Sequence, residues 1–372
     1  MKKVVHIILG KANPNRMSGV NRVVYNICSA QAEYEMEVEL WGISSSQEHN
    51  YGERNFKTIL FPKSKRIFGL DKSVYDRIDK ENEKTIFHLH GGWLPTNYSL
   101  GLYLSKKGFR FVLTPHGAYN IVAMNRSFLV KKIYFKLFER KLIKASSSLH
   151  AVGESELEGM KKLVPFTNRV LIPYGFPLPE KEYPSPPLGE NMIIGFVGRL
   201  DIETKGLDII IKALNLSKEK DMNFEFWIIG GGKEEYLLRQ LVSDFELDHQ
   251  VKFFGPRFGD EKLDFISKMD VFIHASRNEG LPSAILEAAS MSCPSLVTEA
   301  TNLGYYIRDC KGGWVVENEN PTAFFHALHS IYLIWKNKEL SSFRKRAKDM
   351  VEKHFNWLSI IHRLNEMYTY EK

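Results

Sequence analysis

Two glutamates with seven residues between them, Glu279 and Glu287, lie in the segment SRNEGLPSAILEAAS. An apolar run, 271–275, precedes them and predicts a buried strand, and Pro282 suits the first turn of a helix that begins just after Gly280. The free N–H groups at the start of such a helix attract anions such as a diphosphate. Carboxylates accept hydrogen bonds, so Glu287 could bind the vicinal hydroxyls of a ribose and Glu279 could reach a sugar.

The same helix also fits a purely structural role. Ser283, Glu287 and Ser290 fall at helical spacing and could form one face in contact with water. Considered alone, this helix favours the solvent-facing alternative, so the choice depends on the rest of the chain.

Two further segments place glycines at the ends of predicted strands, together with basic side chains. In GFVGRLDIETKGLDIIIKAL, Gly198 is followed by Arg199 and Lys205, whose charges can neutralise a phosphate. In FWIIGGGKEEYLLRQL, Gly231 lies in a run of glycines between a strand and a helix. Each segment alone fits a phosphate-binding turn and a tight turn with surface charge equally well.

The elements that must position these residues are short apolar strands, which alternate with helices in both halves of the chain. Such alternation predicts parallel sheets that are covered on both faces. The expected fold class is therefore α/β, with two Rossmann-like, doubly wound parallel-sheet domains that face each other across a cleft. The predicted strands are 4–9, 38–42, 85–89, 110–114 and 148–152, then 192–197, 225–229, 251–254, 271–275 and 295–298.

A segment rich in proline and glycine, IPYGFPLPEKEYPSPPLGE, predicts the linker between the domains. We expect an amino-terminal domain over 1–175 and a carboxyl-terminal domain over 176–355, with a final helix of about 356–372 that packs back on the first domain. Ligands of such sheets bind at the carboxyl ends of the strands, which places the expected site in the cleft.

The net charge of +7 is distributed unevenly along the 372 residues. Residues 1–178 hold 27 Lys and Arg against 15 Asp and Glu, whereas 179–372 hold 24 against 29. The basic half predicts an anionic partner, such as a membrane surface, a phosphorylated lipid or nucleic acid. No run approaches the roughly eighteen apolar residues of a membrane-spanning helix, and three scattered cysteines are typical of a reducing cytoplasm.

The pair of segments GRLDIETKG and EGLPSAILEA resembles the retaining glycosyltransferases of family 4, which have the GT-B architecture. The resemblance spans the second half of the chain. It implies that Arg199 and Lys205 bind the donor diphosphate, that Glu287 binds the ribose, and that Glu279 lies beside the transferred sugar. The loop TEATNLG is also expected to line the donor. The donor site implied in this way consists of Gly19, Gly198, Arg199, Lys205, Gly231, Glu279, Gly280, Leu281, Pro282, Glu287, Thr301 and Asn302.

The first half resembles the same family with less specific motifs. Gly19 corresponds to a flexible glycine loop beside the phosphates, and His116, in TPHGAYN, matches the histidine of the catalytic region. The segment HLHGGWLP, with His90 and Trp93, is similar to a subgroup that extends surface polysaccharides on lipid carriers. A histidine at a strand end is more often structural, but the pattern of the whole chain predicts His116 at this place. The implied catalytic residues are His116, Glu279, Arg199 and Lys205.

Two segments depart from the family pattern. Tyr174 stands where an asparagine often precedes the glycine near the linker, and Asn302-Leu303-Gly304 stands where the donor loop often has two glycines. These departures concern the identity of the donor sugar and leave the expected fold unchanged.

A basic residue recurs at every fourth position in the segment RSFLVKKIYFKLFERKLIKASSS. On a helix these residues form one ribbon of like charge, which an anionic surface would stabilise. Aromatic and apolar residues cover much of the opposite side, which suits the interface of an anionic bilayer. A helix that packs on the core with a solvated basic face is an equal alternative. The basic residues are Lys132, Lys136, Arg140 and Lys144.

The expected activity is transfer of a hexosyl group from a nucleotide sugar, with a UDP-sugar favoured, to a hydroxyl of a lipid-linked or growing surface polysaccharide (O-antigen, capsule or exopolysaccharide). The anomeric configuration would be retained. The expected partners are the nucleotide sugar, a lipid-linked saccharide acceptor and the anionic inner face of the cytoplasmic membrane, on which the protein would be peripheral. Nucleic acid is not expected, because no recognised nucleic-acid motif accompanies the charge.

No cofactor and no metal are expected, because no cluster of Asp and His has the spacing of a metal site. Two alternatives remain for the function. One is another GT-B enzyme, such as a sugar-nucleotide epimerase, and the other is a non-catalytic nucleotide-sugar-binding protein. A requirement for a lipid acceptor would separate the first from the expected activity.

Overall fold

The computed structural model describes residues 3–13, 19–125, 128–165, 167–179, 181, 183, 186 and 189–369. The chain divides into two compact units, Met1–Gly175 with Trp357–Lys372, and Phe176–Asn356. Each unit is built on one parallel sheet, which confirms the α/β architecture predicted from the alternation of strands and helices.

The sheet of the first unit has seven parallel strands: β1 (Val4–Leu9), β2 (Val38–Ser44), β3 (Lys57–Pro62), β4 (Ile86–His90), β5 (Arg110–Thr114), β6 (Ser148–Ala151) and β7 (Arg169–Leu171). Their order is β3-β2-β1-β4-β5-β6-β7. The chain order therefore reverses between β1 and β4, and ligands of open parallel sheets bind beyond the carboxyl ends of the strands at such a point.

The α-helices among the described residues of the same part of the chain are α1 (Gly19–Glu33), α2 (Lys72–Ile78), α3 (Pro95–Lys106), α4 (Ile121–Asn125), α5 (Phe128–Tyr134), α6 (Arg140–Ala145) and α7 (Glu154–Leu163). The segment Phe135–Glu139, between α5 and α6, is π-helical. The wider π turn changes the angular spacing of side chains, so residues four apart no longer keep the phase of a regular α-helix.

The second unit has a sheet of six parallel strands: β8 (Met192–Val197), β9 (Phe224–Ile229), β10 (Val251–Gly255), β11 (Val271–His274), β12 (Ser295–Thr298) and β13 (Gly313–Val316). Their order is β10-β9-β8-β11-β12-β13. The helices are α8 (Ile202–Lys205), α9 (Leu207–Leu216), α10 (Glu235–Asp244), α11 (Gly259–Ser267), α12 (Ser283–Ser290), α13 (Gly304–Cys310), α14 (Pro321–Lys336) and α15 (Ser341–His354). Two apolar clusters of this unit lie on the two faces of its sheet.

The last helix, α16 (Trp357–Thr369), packs in the first unit although it follows the second in sequence. Ile360, Ile361 and Leu364 are buried in one cluster with Val4 and Ile27. The amphipathic spacing of these apolar residues is what allows a helix to cover one side of a sheet.

The ten strands predicted from sequence are all present, to within two residues at each end. Three strands were missed: β3, β7 and β13. Each of them lies at the edge of its sheet and has mostly half-buried residues, so its sequence lacks the continuous apolar run of a central strand.

Candidate active site

The carboxyl ends of β4 and β5 both lead into left-handed backbone. Trp93 has a φ of 61° and His116 a φ of 56°, a conformation that residues other than glycine adopt at a cost. Glu139, from the π-helical segment, accepts hydrogen bonds from the backbone N–H of Trp93 at 2.9 Å and from the hydroxyl of Tyr119. Burial raises the pKa of Glu139, although the bond from Tyr119 partly opposes that effect.

A second buried carboxylate, Glu156 of α7, holds the turn that contains His116. It accepts hydrogen bonds from the backbone N–H of Gly117 at 2.6 Å and of Val152 at 3.3 Å. Burial raises its pKa to about 7 against the opposing effect of these bonds. Gly159 lets α7 approach the same turn, because a Cβ there would lie 1.9 Å from the carbonyl oxygen of Tyr119.

Both ring nitrogens of His116 have partners within the first unit. Nε2 lies 2.8 Å from Nδ1 of His90, and Nδ1 lies 2.6 Å from the hydroxyl of Tyr174. Burial lowers the pKa of His116 to about 3, so its imidazole is neutral near pH 7. A direct hydrogen bond between His116 and a sugar would therefore have to replace one of these partners.

In the second unit, Lys205 and Glu279 form an ion pair although they lie more than seventy residues apart in sequence. Glu279 also lies within hydrogen-bonding distance of Ser276 Oγ, at 3.2 Å, and of His274 Nε2, at 3.4 Å. Burial would raise the pKa of Glu279, but the bond to His274 and the charge of Lys205 lower it to about 2. The carboxylate is therefore ionised over the whole physiological pH range.

The turn after α8 explains why Lys205 reaches this carboxylate. Gly206 has a φ of 64°, and a Cβ there would lie 1.9 Å from the carbonyl oxygen of Ala275. Only glycine allows the chain to turn through left-handed backbone so close to the end of β11. This close approach places the side chain of Lys205 beside the loop that carries Glu279.

Glu287 is buried on α12, and its carboxylate lies 2.7 Å from Nζ of Lys262 on α11. Ser290 is also buried, so the solvent-facing alternative for this helix was wrong. The helix begins at Ser283, and Pro282 precedes it in extended backbone, one residue before the predicted first turn. Residues of α12 pack into the apolar cluster of the unit, which is why its serine and glutamate leave the solvent.

The loop after β12 closes over the Glu279 turn. Nδ2 of Asn302 donates to the carbonyl oxygens of Glu279 at 2.6 Å and of Gly280 at 2.9 Å. Thr301 is buried and donates from its hydroxyl to the carbonyl of Thr298 at 2.8 Å, which ties the loop to its own strand. Leu281, the next residue of the turn, packs against the apolar cluster around α12. The structure thus brings Glu279, Gly280, Leu281, Asn302 and Lys205 together.

Arg199 pairs with the N-cap residue of α8, the helix that carries Lys205. Its guanidinium forms an ion pair with Asp201 at 2.9 Å and is largely exposed. Gly198 and Gly231 are parts of adjacent strand ends, where Gly198 N–H donates to Ile229 and the carbonyl of Gly231 accepts from Leu200 at 3.1 Å. A Cβ on Gly198 would lie 3.0 Å from the ring of Phe196, and one on Gly231 would lie 3.1 Å from Pro256, so both positions leave little room for a side chain. The phosphate-binding role of the two glycines stays a prediction.

Gly19 is exposed at the start of α1, and the loop 14–18 before it lies outside the described residues. Its role beside the phosphates stays a prediction. No helix within the described ranges is long and apolar enough to cross a membrane.

The predicted basic helix is interrupted by the π-helical segment, yet all four of its basic residues are exposed. The apolar side differs from the prediction, because Leu142 is fully buried and Phe138 packs on Phe68 with ring centroids 4.6 Å apart. Other apolar side chains are 52–72% exposed, which is unusual for such residues on a helix. We call the exposed set the basic–apolar surface: Phe128, Leu129, Val130, Ile133, Leu137, Lys132, Lys136, Arg140 and Lys144.

Two groups of described side chains bring metal-ligating atoms within 4.8 Å of one another. One is the buried set His6, His88 and His90, and the other contains His354 with Asp309 and Cys310. Nδ1 of His6 and Nε2 of His90 lie 2.9 Å apart, which is a hydrogen-bond distance. The expectation that the protein uses no metal stays a prediction.

Several residues of the site were not predicted. Lys262 and His274, which contact Glu287 and Glu279, lie in helix and strand segments that gave no distinctive signal. The buried carboxylates Glu139 and Glu156 appear in sequence as ordinary charged residues of helices. A signal was available only for Glu139, whose acidic side chain interrupts an otherwise basic segment.

Comparison with known families and proteins adds an independent line of evidence. A model of the Glycosyl transferases group 1 matches residues 180–350, and a model of Glycosyltransferase Family 4 matches residues 17–178. Together these two matches span most of the chain. The segment that carries Lys205, Glu279 and Glu287 lies within the first of them.

Two curated relatives match the chain over part of their length. WcaL of Escherichia coli K12, assigned to colanic acid biosynthesis as a glycosyltransferase, is 31% identical over 41% of this chain and 39% of its own. LpsE of Rhizobium meliloti, a lipopolysaccharide core biosynthesis glycosyltransferase, is 27% identical over 37% of this chain and 39% of its own. The chain thus spans about two-fifths of the length of these relatives.

A solved structure matches nearly the whole chain. The Anabaena protein Alr3699/HepE, solved in complex with UDP and glucose, has a TM-score of 0.69 and 14% identity, over 98% of this chain and 99% of that one. At this identity the likeness shows the fold, which is the GT-B fold of two Rossmann-like units. The chain belongs to the group 1 glycosyltransferases, since its second half matches the model of that family and its first half matches the model of Glycosyltransferase Family 4.

Proposed function

We propose that this protein transfers a hexosyl group from a nucleotide sugar to a saccharide hydroxyl, with retention of the anomeric configuration. The observation that carries the proposal is the grouping of Lys205, Glu279 and Asn302 at one turn, with the start of α12 and Glu287 directly behind it. Cation, carboxylate and helix N-terminus are the groups that a sugar diphosphate requires at close range.

In the proposed reaction the bond between the anomeric carbon and the phosphate oxygen breaks, and the acceptor oxygen forms its bond on the same face of the sugar. The proton of the acceptor hydroxyl passes to the leaving phosphate. Arg199, Lys205 and the first N–H groups of α12 would stabilise the negative charge that develops on the diphosphate. These charges come from the protein itself, so the proposal includes no metal.

We favour UDP as the nucleotide part of the donor. The support is the likeness to Alr3699/HepE, which was solved with UDP and glucose, and Glu287 offers a buried carboxylate for ribose hydroxyls. For the acceptor we favour a lipid-linked or growing surface polysaccharide. The support here is the similarity to WcaL and LpsE, whose descriptions name colanic acid and lipopolysaccharide core biosynthesis.

The basic–apolar surface supports a peripheral position on the inner face of the cytoplasmic membrane. Exposed apolar side chains such as Leu129 and Ile133 alternate there with lysines such as Lys132 and Lys136. Apolar side chains can enter the interface of a bilayer while lysines contact anionic headgroups. This arrangement would place the protein beside a lipid-linked acceptor.

The donor site can be tested by calorimetric titration with UDP, GDP and ADP without added metal. We expect one nucleotide to bind, and we expect Lys205→Ala to abolish that binding. Lys218→Ala is the matched control, because Lys218 also forms an ion pair, with Glu246 at 3.5 Å, and both side chains of that pair lie on the surface. Equal loss of affinity in both variants, or no binding of any nucleotide, would contradict the donor site.

The reaction itself is tested by incubating the protein with the sugar conjugate of the nucleotide that binds and with a lipid-linked saccharide extract. Transfer that depends on the lipid acceptor would exclude an epimerase. The anomeric configuration of the product, read by NMR, distinguishes retention from inversion, and an inverted product would overturn the retaining part of the proposal.

A further inference from the structure

The first unit contains five histidines whose side chains are joined by hydrogen bonds. They are His6, His88, His90, His116 and His150, and they lie on or directly after the central strands β1, β4, β5 and β6. Four of them are fully buried, and burial lowers the pKa of every one, so all five are neutral near pH 7. A neutral imidazole has one donor and one acceptor nitrogen. A ring that accepts a hydrogen bond at one nitrogen must therefore donate from the other.

The direction of one half of this network follows from Gln31. Nε2 of His6 lies 2.6 Å from the amide oxygen of Gln31, so His6 must donate through Nε2 and accept through Nδ1. His90 then donates from Nε2 to His6 and accepts through Nδ1, which lies 2.8 Å from Nε2 of His116. His116 donates through Nε2, and its Nδ1 accepts from the hydroxyl of Tyr174 at 2.6 Å.

The other half is fixed by a backbone carbonyl. Nε2 of His150 lies 2.7 Å from the carbonyl oxygen of Ile172, so His150 donates there and accepts through Nδ1 from Thr114. The hydroxyl of Thr114 must in turn accept from Nε2 of His88. Nδ1 of His88 then accepts from the hydroxyl of Tyr368 at 2.8 Å.

Gln31 joins the two halves without conflict. Its amide oxygen accepts from His6, and its amide nitrogen lies 3.3 Å from the hydroxyl of Tyr368, which is free to accept because it donates to His88. In the hydrogen-bonded series that runs from the hydroxyl of Tyr174 to the carbonyl of Ile172, every group therefore donates to the next one. One direction satisfies all the contacts, and it requires the Nε2–H tautomer on all five histidines.

We propose that this hydrogen-bond chain locks His116 as the Nε2–H tautomer and that Tyr174 is a positioning residue, which fixes the imidazole through Nδ1. Both nitrogens of His116 are filled by His90 and Tyr174. The hydroxyl of Tyr174 donates to His116, so Nδ1 carries no proton of its own while this bond is made. The effect of this lock on turnover rests on the proposed glycosyltransferase function, whereas the direction of the chain does not.

The direction of the chain can be measured on the wild-type protein labelled with ¹⁵N-histidine. Two-bond ¹H–¹⁵N correlation spectra distinguish a protonated ring nitrogen from a bare one, and we expect Nε2–H for all five buried rings. An Nδ1–H tautomer or a charged ring at His90 or His116 would overturn the proposal. The spectra are then repeated with added Zn²⁺, and loss of the Nε2–H signals of His6, His88 and His90 would show a metal site in place of the chain.

The positioning role of Tyr174 is tested with Tyr174→Phe, and Tyr103→Phe is the control because Tyr103 bonds Asp79 on the surface of the same unit. We expect Tyr174→Phe to lower kcat by about tenfold to a hundredfold, the usual effect of one lost hydrogen bond to a polar group that stays buried. Its nucleotide Kd should be unchanged, and the Nδ1 resonance of His116 should shift. A shifted resonance with kcat within about twofold of the wild type would overturn the positioning role.

The two proposals fail in different ways. If the wild-type protein transfers no sugar to any acceptor, the proposed function is wrong and the role of Tyr174 in turnover falls with it. The tautomer spectra are independent of activity and decide the direction of the chain by themselves.

Discussion

The candidate donor residues are held in ion pairs with other parts of the protein. Lys205 is paired with Glu279, Glu287 with Lys262, and Arg199 with Asp201. In the two buried pairs the attraction between opposite charges offsets part of the cost of removing them from water, and loss of either partner would leave an unpaired buried charge. A bound sugar diphosphate must then exchange partners with the protein, so the effect of each variant depends on which partner is removed.

A pair of substitutions separates the ribose contact of Glu287 from its ion pair. Glu287→Gln removes the carboxylate, and we expect it to weaken UDP binding by about tenfold to a hundredfold because a charged acceptor for the ribose hydroxyls is lost. Lys262→Gln breaks the same ion pair but leaves the carboxylate, so UDP affinity should change by less than about threefold. Calorimetric titration measures both. Equal losses of UDP affinity in the two variants would mean that Glu287 acts through its ion pair with Lys262, and would contradict the ribose contact.

The buried carboxyl of Glu156 predicts a pH dependence of stability. Its pKa is raised from 4.5 to about 7 in the folded protein, so the protonated carboxyl favours folding at pH values below its unfolded pKa. This contribution to stability, about 3 kcal/mol in full, is lost as pH rises through 7. Glu156→Gln cannot titrate, so the free energy of unfolding of the variant relative to wild type should increase between about pH 5 and pH 8. Denaturant unfolding at both pH values measures it, and a constant difference would contradict the raised pKa.

At the scale of elements, the sequence predicts what lies in the centre of each sheet and misses what depends on distant contacts. Central strands such as β1 and β8 are continuous apolar runs because both faces are covered, and their bounds were predicted exactly from that pattern. The contacts of Lys262 with Glu287 and of His274 with Glu279 depend on how α11 and β11 pack beside α12 and the turn before it. No local pattern encodes such packing, so the pairs at the site had to come from the structure.

The π-helical segment between α5 and α6 changes how the basic helix is used. It turns Glu139 into the interior, where the carboxylate holds the Trp93 turn, while Lys136 and Arg140 on either side stay exposed. Insertions of this kind are frequent at functional sites because they redirect one side chain without ending the helix. Here a single element contributes both to the candidate active site and to the basic–apolar surface.

The basic–apolar surface predicts binding to anionic vesicles through two separable contributions. We expect Leu129→Ser with Ile133→Ser to weaken binding at every salt concentration, because apolar side chains no longer enter the bilayer interface. Lys132→Ser with Lys136→Ser should weaken binding mainly at low salt, by about 1 kcal/mol per lysine. Sedimentation with phosphatidylglycerol vesicles measures both variants.

Lys345→Ser with Lys348→Ser on α15 removes the same charge from the second unit and serves as the control. These substitutions should leave vesicle binding unchanged if the attraction is local. Equal weakening by both lysine pairs would show that net charge, rather than the basic–apolar surface, controls membrane binding.

At the scale of the whole molecule, the two units draw on different parts of the chain. The second unit is one continuous segment with its own sheet and apolar clusters, whereas the first is completed by α16 from the end of the chain. The donor residues in the second unit therefore do not depend on α16 for their own fold. The hydrogen-bond chain of the first unit does, because Tyr368 of α16 is one of its members.

This division predicts that a core substitution in α16 damages only the first unit. Leu364 is buried against Val4 and Ile27, so Leu364→Ala should cost that unit about 2–5 kcal/mol, the usual effect of deleting a buried leucine. UDP affinity should be unchanged, since the candidate nucleotide-binding residues Lys205 and Glu287 lie in the second unit. Asn365→Ala, at the next and exposed position, is the matched control and should affect neither quantity. Thermal unfolding in the presence and absence of UDP measures both units. Loss of UDP binding in Leu364→Ala, in parallel with loss of stability, would show that the two units unfold as one.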